Sequence, residues 1–209
     1  MRFRRAVSLA TGLVLFGVSV ALLVVAGLGL DPWDVFQQGL ARRLGVPIGR
    51  TVIAVGVLVL LLWIPLRQRP GIGTLANVVV VGLVIDAALP LLPTPHVLAL
   101  RVAYLVAGIG LNAVATGLYI GAGLGPGPRD GLMTGLAARG LSLRVARTSV
   151  EVSVLVAGWL LGGTVGIGTL AYALSIGPLV HLLLPRLALP QATAPRAAKP
   201  RASNAKIAG

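Results

Sequence analysis

Six apolar stretches dominate the chain, and each is long enough, or nearly long enough, to cross a lipid bilayer as an α-helix. About 20 apolar residues are needed for this, since an α-helix rises ~1.5 Å per residue. Only 11% of the residues are charged, whereas soluble domains carry about 25%. The sequence therefore predicts an all-α membrane protein with six transmembrane helices. The stretches are residues 6–28, 48–66, 72–92, 98–121, 147–164 and 167–187.

The net charge of +13 would suggest a nucleic-acid partner in a soluble domain. Here the basic residues lie mostly between or beyond the apolar stretches, which is typical of membrane topology signals. We therefore expect the lipid bilayer, and no nucleic acid, as the surroundings of this chain. Cysteine is absent, which excludes thiolate metal sites and thiol catalysis.

Two shorter segments between the apolar stretches have the features of helices that do not cross the membrane. Residues 32–44 begin with Pro32 directly after Asp31, a combination that starts helices. Residues 128–140 begin in the same way with a proline after a glycine-rich break. Thirteen residues reach only about 20 Å, so both segments are predicted to be short interfacial or re-entrant helices.

The chain contains two copies of one sequence pattern. The stretch "GIGTLAN" at residues 71–77 returns as "GIGTLAY" at residues 166–172, and further matches follow in the same order with small gaps. We infer a tandem duplication, with a first membrane repeat at 1–93, a second at 97–187 and a disordered, basic, cytoplasmic tail at 188–209. The matched pairs include Arg5 with Arg101, Pro32 with Pro128, Asp34 with Asp130, Gly82 with Gly177, and "AGLG" at 26–29 with "AGLG" at 122–125.

Each copy contains three predicted crossings, and three is odd. The second copy must then have the opposite orientation in the membrane, which is the inverted-repeat arrangement of many secondary transporters. With both termini in the cytoplasm, fourteen basic residues fall on the inner side and four on the outer side. This asymmetry favours cytoplasmic termini, because basic residues concentrate in cytoplasmic loops.

Four motifs in this order resemble a known family. They are "DPWDVFQQGL" at 31–40, "PGIGTLAN" at 70–77 with Asp86 downstream, "GPRDGLM" at 127–133 and "VGIGTLAY" at 165–172. Together they resemble the bacterial YczE-like integral membrane proteins, often grouped as YczE/YyaS/YitT. The resemblance runs from about residue 1 to 187 and implies a multi-pass protein of the bacterial cytoplasmic membrane. It implies no particular substrate or reaction.

Acidic residues within or beside membrane spans are costly and are functional candidates by default. Asp34 and Asp130 occupy equivalent places in the first turns of the two short helices. As a pair they would face a central cavity and bind a cation or proton. Alternatively, each would only satisfy free N–H groups and the dipole of its own helix.

Four further residues are candidates for a substrate or ion pathway. Asp86 and its repeat equivalent His181 would form a proton relay, or each would be a polar group near the membrane boundary. Glu151 would be a gate or coupling acid, or merely the partner of Arg147 one helical turn earlier. Asn77, like Asn112 and Tyr172, would line a cavity or bridge helices. The two "GIGT" motifs would serve helix packing, or break a helix so that its backbone binds substrate.

The duplication and the paired acids favour a small-molecule transporter or permease, in which one half rocks against the other. The alternative is a non-transporting membrane protein that supports or regulates a partner complex. An enzyme is not expected, because the sequence shows no metal-ligand cluster, no nucleophile–base pair and no cofactor fingerprint. Expected partners are therefore an unknown small molecule or ion, with a homo-oligomer or a membrane partner left open.

Overall fold

The computed structural model describes residues 2–189 as helices joined by short connections, with no β-strand among them. The predicted all-α class is thereby confirmed. The predicted tail, residues 188–209, lies outside the described residues except for Ala188 and Leu189. The helices are α1 (Arg2–Ala26), α2 (Pro32–Leu44), α3 (Ile48–Trp63), α4 (Ile72–Ala88), α5 (Leu98–Gly121), α6 (Pro128–Ala137), α7 (Leu143–Leu160) and α8 (Ile167–Leu187), and a 3-10 turn, Leu89–Leu91, follows α4.

Four of these helices are long and apolar enough to cross a membrane: α1, α4 with its 3-10 turn, α5 and α8. A fifth crossing is obtained if α2 and α3 are counted as one span, although the chain bends by 115° between them. Of the remaining predicted crossings, α3 has only 16 residues and α7 carries Arg144, Arg147 and Glu151. The arrangement with six crossings therefore stays a prediction.

The outer surface of the helix assembly carries many exposed large apolar side chains. In water such a surface would be costly, whereas in a bilayer the lipid tails contact it without penalty. This surface is consistent with lipid contact around the protein. Examples are Leu58, Leu61, Leu83, Val106, Trp159 and Leu174.

The short helix α2 begins and ends where the sequence predicts. Pro32 occupies the first turn, and the backbone N–H of Asp34 donates to the side chain of Asp31 at 2.8 Å. Gly45 ends the helix with φ 65°, a left-handed conformation that favours glycine. The polar residues Asp34, Gln37 and Gln38 are buried, so α2 enters the interior of the protein.

Helix α6 is shorter than predicted and ends at Ala137, not at residue 140. The chain tightens there into 3-10-type turns: the N–H of Arg139 donates to Leu136 and the N–H of Gly140 to Ala137. Gly140 then adopts φ 105°, which is incompatible with continuation of the helix.

Helices α1 and α5, which begin the two repeats, pack along each other in opposite directions. Arg101, near the start of α5, donates to the carbonyl oxygens of Ala26 and Gly27 at the end of α1, both at 2.7 Å. Gly12, near the start of α1, lies against Tyr119 near the end of α5. Equivalent helices of the two halves are thus antiparallel at the centre of the fold.

Each short helix packs against a helix of the other half as well as against a helix of its own half. Helix α2 packs against α7 of the second half, and α6 packs against α3 of the first half. Arg42, near the end of α2, donates to the carbonyl oxygen of Gly162 after α7. In a similar contact, Arg139 after α6, which corresponds to Arg43 in the first repeat, donates to the carbonyl oxygen of Pro65 after α3. Neither half is therefore a separate packing unit.

The two "GIGT" motifs form a matched pair of contacts between the halves. The N–H of Gly73 donates to the carbonyl oxygen of Leu124 at 2.9 Å, in the second "AGLG" loop. The N–H of Gly168 donates to the carbonyl oxygen of Leu28 at 2.8 Å, in the first "AGLG" loop. Each repeated motif thus binds the loop of the other repeat.

The glycines at these contacts are required by close backbone approach. A Cβ atom at Gly29 would lie 2.6 Å from Oγ1 of Thr169, and one at Gly125 would lie 2.7 Å from Oγ1 of Thr74. Both glycines also have positive φ angles, 119° and 126°, which side chains rarely adopt. The repeated motifs therefore form close contacts between a helix start and a loop, and both predicted interpretations of them stay predictions.

Candidate functional site

A cavity of about 300 Å³ lies at the centre of the fold, between the two halves. All eight described helices contribute residues to its wall. Most of these residues are aliphatic, and polar and aromatic residues lie among them. The cavity lies where the short helices α2 and α6 begin, because the first residues of both helices line it. The charged lining residues are Asp31, Arg129, Asp130, Arg147 and Glu151.

The strongest polar cluster in the cavity wall is centred on Arg129, at the start of α6. Its Nη1 lies 3.2 Å from Oδ2 of Asp31, and its Nη2 lies 2.9 Å from Oδ1 of Asp34. The same Nη2 donates to Oε1 of Gln37 at 3.1 Å. The guanidinium also lies over the Trp33 ring, with Cζ 5.4 Å from the ring centroid. One cation from the second half thus holds the start of α2 of the first half.

The acids of this cluster are almost fully buried, whereas the side chain of Arg129 is 24% exposed. Asp34 is 1% exposed and Asp31 is 4% exposed. Buried charges are stable only when paired and hydrogen-bonded, and Arg129 provides both. Within residues 2–189, Nε1 of Trp33 and Oδ2 of Asp34 are nevertheless left without a hydrogen-bond partner.

The equivalent acids Asp34 and Asp130 have different partners and different positions relative to the cavity. Asp34 is bound by Arg129 behind the cavity wall and does not belong to the lining. Asp130 lines the cavity, and its Oδ2 accepts a hydrogen bond from the hydroxyl of Tyr119 at 3.0 Å. The two halves differ beside these acids, because Trp33 corresponds to Arg129 and Asp31 corresponds to Gly127.

Two further predicted residues, Asn77 and Glu151, line the cavity. Glu151 accepts a hydrogen bond from Nε of Arg147 at 2.9 Å, the predicted pairing one helical turn apart. This pair stands on α7, where α7 faces the cavity. Asn77 belongs to α4 and is the repeat equivalent of Tyr172, which also lines the cavity.

The structure does not bring Asp86 and His181 together. Asp86 lies near the end of α4, and its Oδ1 accepts the backbone N–H of Gly49 at 2.7 Å. It therefore satisfies the start of α3, which the sequence did not suggest. His181 is exposed on α8. Neither Asp86 nor His181 is among the residues described as lining the cavity. The two residues therefore do not meet there, and the proton relay stays a prediction.

A chain of polar contacts joins three helices beside the cavity. The hydroxyl of Tyr172 donates to Oδ1 of Asn112 at 3.0 Å, and Nδ2 of Asn112 donates to Oγ of Ser19 at 2.9 Å. These residues belong to α8, α5 and α1. Asn112 and Tyr172 both bridge helices and line the cavity, so the two alternatives left open by the sequence apply together.

Sequence reasoning missed Arg129, Gln37 and Tyr119 as site residues. The partners of Arg129 are more than ninety positions away in the sequence. In the sequence alone it is therefore one of the basic residues that indicate membrane topology. A signal was nevertheless present. Two acids at the start of a segment between apolar stretches require a cation if that segment is buried, and Arg129 stands in the equivalent motif.

The sequence matches, over residues 3–185, a family described as "Family of unknown function (DUF6198)". An uncharacterized protein of Haemophilus influenzae is 42% identical over 173 residues, which make up 82% of this chain and 79% of the relative. The uncharacterized membrane protein YczE of Bacillus subtilis is 32% identical over 178 residues, 84% of this chain and 83% of YczE. YyaS of Bacillus subtilis is 29% identical over 181 residues, 83% of this chain and 89% of YyaS. No solved structure matches.

These similarities extend over both repeats and over the cavity between them. The relatives are matched over about four fifths or more of their own length, and YczE is named as a membrane protein. The resemblance carried by the four sequence motifs is thus confirmed, and the chain belongs to this YczE-like family of membrane proteins.

Proposed function

We propose that this protein is a small-molecule transporter of the bacterial cytoplasmic membrane, and that the central cavity is its substrate site. The single observation that carries the proposal is the unequal packing of the two halves around that cavity. The halves share one helix arrangement, but they close the cavity to different extents. A protein that moves a substrate by alternating access needs such a difference between two related halves.

The difference lies between the third and fourth helices of each half. In the first half, α3 packs closely on α4, where the backbones of Gly49 and Gly82 touch. In the second half, α7 and α8 have no comparable packing within the described residues. The equivalent positions are Ala146 and Gly177, and a Cβ atom at Gly177 would meet nothing within 4 Å.

These small residues suggest how the cavity would change its access. In the present conformation the α3–α4 side is closed and the α7–α8 side is loose. In the alternate conformation the second half adopts the packing of the first, so that α7 closes on α8 at Ala146 and Gly177. The α3–α4 contact opens in exchange. The two states then expose one cavity to opposite sides of the membrane.

The proposal includes six crossings, with the two halves in opposite orientations and both termini in the cytoplasm. Helices α3 and α7, with 16 and 18 residues, are about 24 and 27 Å long, close to the ~30 Å hydrocarbon core. Arg147 and Glu151 of α7 form an ion pair, and both line the cavity. The antiparallel packing of α1 on α5 and the distribution of basic residues support the same orientation.

The test uses the absence of native cysteine. Purified A146C/G177C protein in proteoliposomes is oxidised to join α7 to α8, and flux is measured for a panel of amines, amino acids, carboxylates and sugars. We expect flux of at least one compound by the reduced protein, its loss on oxidation and its recovery with a reductant. The single variants A146C and G177C, oxidised in the same way, should keep their flux.

Two results would contradict the transporter proposal. The first is full flux by the protein after complete disulfide formation. The second is the absence of flux for every panel compound by the folded wild-type protein. If another membrane protein also co-purified in a fixed ratio, the second result would favour the alternative, a protein that supports a partner complex.

A further inference from the structure

We infer that the central cavity selects a small organic cation, with the carboxylate of Asp130 as the counter-ion and aromatic rings beside it. The inference rests on the proposed function, since it takes the cavity to be the substrate site. It adds the chemical class of the substrate, which follows from the charges and the rings at the cavity.

The charges around the cavity are unbalanced in favour of a cation. Arg129 is shared by two carboxylates, Asp31 and Asp34, and is therefore more than neutralised. Arg147 and Glu151 neutralise each other. Asp130 has the hydroxyl of Tyr119 as a partner but forms no ion pair with a basic residue in the described part of the chain. With every group ionised, the cavity is negative, and Asp130 is the acid without a cation.

A second, independent observation points the same way. Oδ2 of Asp34 is buried without a hydrogen-bond partner inside the described range, so the acidic cluster, to which Oε1 of Gln37 adds a further acceptor, has more acceptors than Arg129 satisfies. A buried, unsatisfied acceptor is costly. A positive charge entering the neighbouring cavity would lower this cost, whereas a negative charge would raise it.

Aromatic side chains line the cavity that Asp130 also lines. Tyr119 binds Asp130, and Phe16 meets Tyr119 edge to face, with the ring centroids 6.1 Å apart and the planes at 77°. Both rings line the cavity, as do Trp33 and Tyr172. Aromatic rings together with a carboxylate are the side chains that recognise ammonium groups.

Other ligand classes fit this cavity less well. An anion could not use the N-terminus of α2, because the side chain of Asp31 already occupies it. A bare metal ion needs several converging ligands, and no group of three His, Asp or Glu side chains suited to a metal is found among residues 2–189. The valines of α3, Val52, Val55 and Val59, instead provide an apolar wall for the body of an organic cation.

The experiment measures binding to the full-length protein in lipid nanodiscs by titration calorimetry. The probes are tetraethylammonium chloride, as the organic cation, and sodium benzoate, as an organic anion of similar size. Sodium chloride at equal ionic strength is the control for metal cations. We expect saturable binding of tetraethylammonium and no saturable binding of benzoate or of sodium.

The matched variants are Asp130→Asn in the cavity and Asp86→Asn outside it. Loss of the counter-ion should weaken tetraethylammonium binding by about tenfold or more, while Asp86→Asn should leave it unchanged. Both variants should elute as the wild type does and keep its helical content. Tighter binding of benzoate, equal effects of sodium chloride, or unchanged affinity in folded Asp130→Asn would each overturn the inference.

Binding and flux separate this inference from the proposed function. Tetraethylammonium binding that depends on Asp130, without flux of any compound, would support the cation site and contradict transport. Flux of an anion or a neutral compound, stopped by the α7–α8 disulfide, would support transport and contradict the cation site.

Discussion

Trp33 and Arg129 occupy equivalent positions in the two halves of the chain, and they meet at its centre, with the guanidinium carbon 5.4 Å from the ring centroid. The residues around them, Pro32 with Pro128 and Asp34 with Asp130, are the same in both halves. In the second repeat Gly127 stands where the first has Asp31, and Arg129 stands where the first has Trp33. This second difference creates the partner that Asp31 and Asp34 share in the described cluster. Asp130 instead lines the cavity.

Removal of Arg129 should strongly destabilise the protein. In Arg129→Gln, Asp31 and Asp34 stay buried without their cation, a change that typically costs about 3–5 kcal/mol. We expect a clear fall of the thermal unfolding midpoint in detergent. A second change, Asp34→Asn, should recover part of the loss, because it removes one of the two uncompensated charges.

The matched control for this prediction is Arg147→Gln. Arg147 also forms an ion pair with an acid of the cavity wall, but its side chain is 61% exposed, and exposed pairs contribute about 1 kcal/mol or less. Its unfolding midpoint should stay close to that of the wild type. Equal effects of the two substitutions would show that Arg129 does not stabilise the buried acids.

The loop glycines should tolerate no side chain. Gly29→Ala and Gly125→Ala each force a positive φ angle on alanine and press its Cβ against a threonine hydroxyl, which should cost about 1–3 kcal/mol. Thermal unfolding of both variants measures this. In Gly110→Ala, within α5, the new Cβ meets nothing within 4 Å, so this variant should unfold at the wild-type temperature or slightly above it.

Asp86 should prove structural. Asp86→Ala leaves the N–H of Gly49 at the start of α3 without its acceptor, and loss of such a helix-capping contact costs about 1–2 kcal/mol. Asp86→Asn keeps an acceptor and should keep most of the stability. Neither variant should change flux per folded molecule. Loss of flux in a stable Asp86→Asn variant would instead support the hypothesis of a proton relay with His181.

Tyr119 should act on cation binding through Asp130. Tyr119→Phe keeps the ring beside Phe16 but removes the hydrogen bond to Asp130. Since a net hydrogen bond is worth about 0.5–1.5 kcal/mol, tetraethylammonium affinity should fall by roughly two- to tenfold, less than in Asp130→Asn. An effect as large as that of Asp130→Asn would mean that Tyr119 itself contacts the cation.

The sequence predicted the number and order of the described helices because their signals are local, but α7 lies at Leu143–Leu160 and not at the predicted 147–164. The bounds of α2 follow from Asp31, Pro32 and Gly45, which lie at or next to its ends. The end of α6 was wrong because the sequence does not show where an α-helix tightens into a 3-10 turn. The duplication predicted that equivalent residues exist, but it did not predict that each "GIGT" motif contacts the loop of the other repeat.

The candidate site was predicted only in part. Asp130, Glu151 and Asn77 line the cavity, but their neighbours come from distant parts of the chain. Arg129 finds Asp31 across 98 positions and Asp86 finds Gly49 across 37. Such pairs depend on how the helices pack against one another, and no local pattern carries that information.

The orientation of the two halves can be measured directly at one equivalent pair of loop positions. Val46, between α2 and α3, and Ser142, between α6 and α7, correspond in the two repeats, and both are exposed. A single cysteine at each position, in V46C and S142C, is labelled in intact cells and inverted vesicles with a maleimide that does not cross membranes. With two opposed halves and cytoplasmic termini, we predict that V46C reacts in intact cells and S142C only in inverted vesicles. Reaction of both from the same side would contradict the opposed halves and, with them, a cavity that opens alternately to the two sides.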